Sequence, residues 1–256
     1  MNKLVNRLFS DYLMPSRLTV YEQFLVRARD AGYTQMSVRD FWRCRSGDNA
    51  KIVVHRHDVD TDLRTARKMF ELEQRYGVRS TFYFRLLTLA PEFMREIEAY
   101  GSEASYHFEE VAEFAKTKHI RCASTLRLHM GDIADQFFIN FTNIEERLGV
   151  KLSTVSSHGD FVNRRLRIIN NEVLAVPGLR VRCGIACEAY DPELLTGFDI
   201  YIRDQPYPRN FLPISPFDAL GRYARIYFLT HPIQWETNWA ENTRHNVQRL
   251  YEELVW

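Results

Sequence analysis

The sequence predicts an α/β domain built on a parallel sheet, and three observations carry that prediction. Short β-rich runs alternate with segments of helical periodicity between residues 52 and 108. The helical segments stop at glycines, Gly77 and Gly101, as helix C-termini commonly do. Histidines and acids then gather just after the β-rich runs, and in a parallel sheet those strand ends lie together and usually hold the site.

Thr19-Val20-Tyr21-Glu22 has the spacing of a capping box, and Val20, Phe24, Leu25 and Ala28 then share one helical face until Gly32. A second, shorter helix is expected from Ser37-Val38-Arg39-Asp40. Both precede the first long strand, so residues 1–48 read as an N-terminal helical cover, with the catalytic frame starting at about residue 50. Ile52-Val53-Val54 is a β-branched run that leads into His55-Arg56-His57-Asp58-Val59-Asp60. The next helix places Leu63, Ala66, Met69 and Phe70 on one side, and Ser80–Phe84 follows as a second strand. Thr88 opens a helix with Pro91 in its first turn and Phe93, Ile97 and Tyr100 inward; Ala104–Phe108 is a third strand.

A helix from about Asp132 to Leu148 carries Ile133, Phe137, Phe141 and Ile144 on one face. Ser153–Ser156 is a strand that runs into Ser157-His158-Gly159-Asp160. Residues 172–191 mix short β-rich pieces with cysteines. Asp199–Arg203 and Arg225–Leu229 are the last strands, and a helix over Asn238–Leu254 closes the chain. No repeat, low-complexity run or composition break marks a linker, so residues 1–256 read as one domain.

Composition excludes several classes. Hydrophobic residues at 45% and charged residues at 26% are ordinary for a folded domain. The 34 Lys+Arg against 33 Asp+Glu leave no basic field for nucleic acid or an anionic membrane. No stretch approaches the roughly 20 apolar residues of a spanning helix. Asn6, Arg7, Ser10 and Asp11 break the N-terminal segment, which lacks the apolar core of an export signal, so a cytoplasmic location is expected. Cys44, Cys122, Cys183 and Cys187 are too few and scattered for a disulfide framework, and the last two lack the second pair of a zinc ribbon. All four read as reduced, small apolar residues.

Asp58 and Asp60, two apart on an extended backbone, point to the same side. One could hold a divalent metal while the other takes a proton from water; alternatively His55, Arg56 and Asp58 form ion pairs at a strand end. Further polar groups follow other strands: His107/Glu109, His158/Asp160, Asp204 and His231. Three histidines at three strand ends with an acidic pair at a fourth suit a mononuclear metal hydrolase. Catalytic Zn²⁺ typically takes three protein ligands and leaves one position open. Hydrolysis also needs a protonated group for the departing amine or alcohol. A His whose tautomer and pKa are set by a carboxylate suits that role, and His231 with Asp204 is the candidate pair.

The order of these motifs resembles the polysaccharide deacetylases, the NodB-homology or carbohydrate esterase family 4 group, in a divergent subgroup with an RHDVD-type motif. Arg56-His57-Asp58-Val59-Asp60 sits where that family has its acidic first motif. Gly77–Phe84 is similar to its "G-V-x-x-T-F-F" strand, Gly101–His107 to its "G-x-E-x-x-x-H" metal motif, and Leu229-Thr230-His231 to its closing "L-x-H". The resemblance implies that Asp58 and Asp60 share the roles of catalytic base and metal ligand, with Asp58 as base. It implies that His107 is a metal ligand, His231 the general acid and Asp204 the carboxylate that orients it. Two features depart from the family pattern: Val59 separates acids that are usually adjacent, and position 111 is Val where the second metal His is expected. His158 is the substitute third ligand, on chemistry rather than motif identity.

The fold that the resemblance implies is a distorted (β/α) barrel of fewer than eight strands with extra N-terminal helices. The expected activity is hydrolysis of an N-acyl group, most simply N-acetyl, from a saccharide, with a divalent metal such as Zn²⁺. Because the cytoplasm is expected, a nucleotide-sugar or lipid-linked precursor of a surface polysaccharide such as O-antigen fits better than finished cell wall. Two alternatives compete: a C–N hydrolase on a non-sugar amide, and a non-catalytic saccharide-binding module. Glu103 reads as a turn residue, Glu109 and Glu110 as a solvated face, with Glu109 alternatively a support for His107, and Arg56 and Arg85 as oxyanion or ion-pair partners. Asn163 and Trp235 read equally as sugar-site or structural residues.

Overall fold

A strand buried on both faces must be apolar or internally paired along its whole length, and residues 52–59 are buried without a break. They form the centre of the sheet in a computed structural model that describes residues 3–44 and 50–256. Residues 1–2 and 45–48 of the expected N-terminal cover lie outside the described residues. The sheet is curled into a half-barrel and mostly parallel. Its strands are β1 (Thr34–Met36), β2 (Ile52–Val59), β3 (Thr81–Phe84), β4 (Glu103–Phe108), β5 (Thr154–Ser157), β6 (Cys187–Glu188), β7 (Ile200–Asp204), β8 (Phe211–Leu212) and β9 (Arg225–Thr230).

The strand order is β6-β5-β4-β3-β2-β9-β7-β8, and β1 pairs with the start of β2. Every pairing is parallel except β7 with β8. The six strands expected from the sequence are β2, β3, β4, β5, β7 and β9. The other three span only two or three residues each, and they bring the sheet to nine strands among the described residues, where a barrel of fewer than eight was expected. Runs that short carry no readable alternation.

Alternate residues of β2 enter different layers. Val53 packs with Phe24, Met69 and Phe228 under the helices Leu18–Asp30 and Leu63–Tyr76. Ile52 and Val54 pack with Tyr83, Tyr227 and Phe41 within the curl of the sheet. Asp62 caps the second of these helices by accepting from the Thr65 backbone, and Gly77 ends it at φ 68°, a left-handed angle that disfavours a Cβ. The helix expected to open at Thr88 starts later, at Pro91. Thr88 instead closes a short turn: its hydroxyl donates to the Val59 carbonyl and accepts from the Arg85 backbone.

The closing helix runs over Trp239–Val255, with Asn238 as its cap. It packs against residues 7–12, where Arg7 donates to Asn246 at 2.5 Å and Asn242 donates to the Asp11 carbonyl. Among the described residues, no helix is long and apolar enough to cross a membrane. The four cysteines are free, but Cys44 and Cys122 are exposed rather than core residues.

Candidate metal centre

Asp60, His107 and His158 converge at the C-terminal ends of β2, β4 and β5, with one ligand atom from each lying within 4.8 Å of the others. Asp60 Oδ1 is 3.3 Å from His107 Nε2 and 3.6 Å from His158 Nε2. Donor atoms on one tetrahedral Zn²⁺ at about 2.0–2.2 Å stand about 3.3–3.6 Å apart, so these spacings match a shared ion. Asp60 Oδ1 is also buried without a hydrogen-bond partner. A carboxylate oxygen in that state needs a cation or a donor.

Both imidazoles are held in the tautomer that a metal requires. His107 Nδ1 donates to the Ser156 carbonyl at 3.0 Å, a contact set by the register that pairs His107 with Ser156. His158 Nδ1 donates to Glu109 at 3.1 Å. Each bond leaves Nε2 with its lone pair toward Asp60. Glu109 is in turn gripped by Arg85 through two bonds, at 2.9 and 2.7 Å. Burial would raise the Glu109 pKa, but His158 and Arg85 hold it well below the usual carboxylate range.

Asp58 stands beside this cluster, its Oδ2 3.5 Å from His107 Nε2. Arg56 grips the carboxylate bidentately at 2.8 and 2.7 Å and also reaches Ser156 at 2.6 Å, with all three groups buried. Burial pushes the Asp58 pKa up, but the charge and hydrogen bonds of Arg56, with His107 and His231, together lower it. The Asp60 pKa is likewise lowered against burial, chiefly by His158, His107 and His231.

His231 follows β9, and Asp204 ends the neighbouring β7. His231 Nδ1 donates to Asp204 Oδ1 at 2.6 Å, and its backbone N–H donates to Oδ2 at 2.7 Å. Burial lowers the His231 pKa, but Asp204, with Asp60 and Asp58 behind it, raises it to about 9. Trp235 supplies a further bond to Asp204, Nε1 to Oδ2 at 2.9 Å, and is itself buried. Trp235 is therefore a support of the pair and not a sugar platform.

All six residues expected from the sequence thus lie in one region, while other members of the motifs do not. His55 and His57 face the opposite side of β2. There His57 Nε2 donates to Glu73 at 2.7 Å, its Nδ1 meets Thr230 at 2.6 Å, and Tyr21 also donates to Glu73. His55 donates to Gln35 at 2.9 Å, and burial lowers its pKa to about 3, so it is neutral. No protein-family model matches the chain. No curated protein matches it either.

Several flanking expectations are corrected. Glu103 is no turn residue: it is buried in β4, where Thr81 and Thr154 donate to it at 2.7 Å and the Arg39 backbone at 3.0 Å. Glu109 and Glu110 are buried rather than solvated, and Glu110 accepts from Tyr106 and Asn140. Arg85 is the ion-pair partner of Glu109. Asp160 caps the helix Phe161–Leu166, and Asn163 accepts from the Asp160 backbone, so both shape the His158 loop. Glu73 was missed by sequence reasoning; its place on the buried face of a helix, with Met69, Phe70 and Leu72, is the signal that could have found it.

Proposed function

We propose that this protein is a metal-dependent hydrolase that removes an N-acyl group, most simply N-acetyl, from a saccharide precursor of a surface polysaccharide. The observation that carries the reading is the convergence of Asp60 Oδ1, His107 Nε2 and His158 Nε2 beside the Asp58 carboxylate and the His231–Asp204 pair. Asp60, His107 and His158 would hold the ion. Bound there, a divalent cation such as Zn²⁺ supplies a Lewis acid for the acyl carbonyl and lowers the pKa of the attacking water.

The chain's own groups then divide the proton transfers. Asp58, kept as a carboxylate by Arg56, takes the proton of the attacking water. His231, protonated at neutral pH, gives a proton to the leaving nitrogen from Nε2, while Asp204 fixes the ring through Nδ1. Collapse of the tetrahedral carbon breaks the C–N bond and releases a carboxylate and a free amine. The curled, mostly parallel sheet supports a relation to the polysaccharide deacetylases that the motif order resembles, although its strands outnumber the fewer than eight expected of that barrel. We read the location as the cytoplasm.

The test is metal content of the purified protein and of His107→Ala and His158→Ala, followed by an acetate-release screen on N-acetylated sugars. About one equivalent of metal, lost in both variants, is expected. Metal retained in His158→Ala would remove that residue from the ligand set. No metal after incubation with Zn²⁺ would favour a non-catalytic saccharide-binding module, and acyl release from small amides alone would favour a non-sugar C–N hydrolase.

A further inference from the structure

A cavity of about 440 Å³ opens over Asp60, walled by the segments after β7 and β9 and roofed by the first and last helices of the chain. Four buried polar atoms without hydrogen-bond partners belong to residues that line it: Asn6 Oδ1, Asp60 Oδ1, Thr61 Oγ1 and Asn242 Oδ1. Asn242 is 2% and Thr61 7% exposed, so both are interior groups whose desolvation is uncompensated. Asp60 Oδ1 belongs to the ion; of the other three, two are amide oxygens that only accept and the third is a hydroxyl. Such a lining selects a ligand rich in O–H and N–H donors, which is the chemistry of a sugar.

The same cavity carries Arg7 on one helix and Arg249 on the other. Arg7 gives one N–H to Asn246 at 2.5 Å, and the carboxylate contacts of the two are long, 3.4 Å to Asp11 and 3.4 Å to Glu253, so other guanidinium N–H groups of each are left for a further acceptor. The two cations feel each other: burial and then the Arg7 charge lower the Arg249 pKa. With Asp60 committed to a divalent ion, the lining has an excess of positive charge. Two guanidiniums that line one cavity suit a phosphoryl group.

We propose that the substrate of the centre is a saccharide carrying a phosphoryl group, with sugar hydroxyls on Asn6, Thr61 and Asn242 and phosphoryl oxygens on Arg7 and Arg249. This rests on the saccharide reading of the site. Nucleoside-diphosphate sugars and polyprenyl-diphosphate sugars share the required chemistry.

Equilibrium binding to the Zn²⁺-loaded full chain tests it, with N-acetylglucosamine, its 1-phosphate, its uridine-diphosphate ester and a polyprenyl-diphosphate ester in micelles as probes. The phosphorylated sugars are expected to bind at least about tenfold tighter than the neutral one, the size of one good charge-assisted contact. That ratio should fall to about threefold or less in Arg7→Gln and Arg249→Gln, and Arg249→Lys should keep most of it. The tighter of the two diphosphate esters identifies the source. Equal binding of neutral and phosphorylated sugars, or a ratio that survives both Gln variants, would overturn the proposal. Acetate release on the same probes separates the two readings. Release without charge preference leaves the hydrolase standing and removes the phosphoryl site; arginine-dependent binding without release does the reverse.

Discussion

Glu109 and His158 are joined at 3.1 Å through the imidazole Nδ1, and this contact turns the free Nε2 toward Asp60. The carboxylate is anchored from behind by Arg85, so the ring cannot swing without breaking its hydrogen bond to a fixed partner. Glu109→Gln should keep the fold and lower metal affinity by about 10–100-fold, the usual effect of removing a carboxylate behind a ligating His. Titration against a chelating dye measures it. Unchanged affinity would mean that His158 is not a ligand.

Asp58→Asn is the obvious active-site variant, and it carries a structural cost. Arg56 is wholly buried and Asp58 is its bidentate partner, so the substitution strands a charge. Breaking one side of such a pair costs about 3–5 kcal/mol. Denaturant unfolding should show a loss of that order, and Arg56→Met with Asp58→Leu should recover much of it while acyl release stays absent.

His231 should titrate near 9 in the metal-free protein, as followed by imidazole NMR shifts, and Asp204→Asn should bring it down. Its folded pKa is raised above the unfolded value of about 6.5, so the stabilisation is complete below that pH and is lost as pH rises through about 9. In the metal-loaded enzyme the cation offsets the Asp60 charge, so acyl release that needs a protonated His231 should begin to fall at or below about pH 9.

Glu73 separates structure from chemistry. It gathers bonds from His57, Tyr21 and Ser80 on the face of β2 away from the centre. Glu73→Leu leaves those donors unpaired, at about 1–3 kcal/mol each. The melting temperature should drop, and the metal content of the folded fraction should not change.

The sequence made the ligand atoms legible because each follows a recognisable strand: Asp60 after the β-branched run, His107 within Ala104–Phe108, His158 after Ser153–Ser156. It could not say which face of β2 would meet the centre, since the face with His55 and His57 is as polar as the one with Arg56 and Asp58. The burial of Glu103 and Glu109 was equally hidden. Carboxylates are normally exposed unless paired, and their partners Thr81, Thr154 and Arg85 come from other strands and turns. The closing helix was visible as a helix, the one at Lys3–Leu8 was not, and their meeting over Asp60 depends on packing that periodicity does not encode.

β2 carries two polar programmes in one strand. Arg56, Asp58 and Asp60 serve the centre, and His55 and His57 serve Glu73. A pleated strand reverses every side chain when it slips by one residue. A single-residue insertion or deletion within Ile52–Asp58 would therefore deliver imidazoles to the centre and drive Asp58 against Glu73, inverting both networks together. Substitutions in this strand can be graded in their effect; a change in its length cannot. The spacing from Ile52 to Asp60 is thus a quantity that the protein has no freedom to vary.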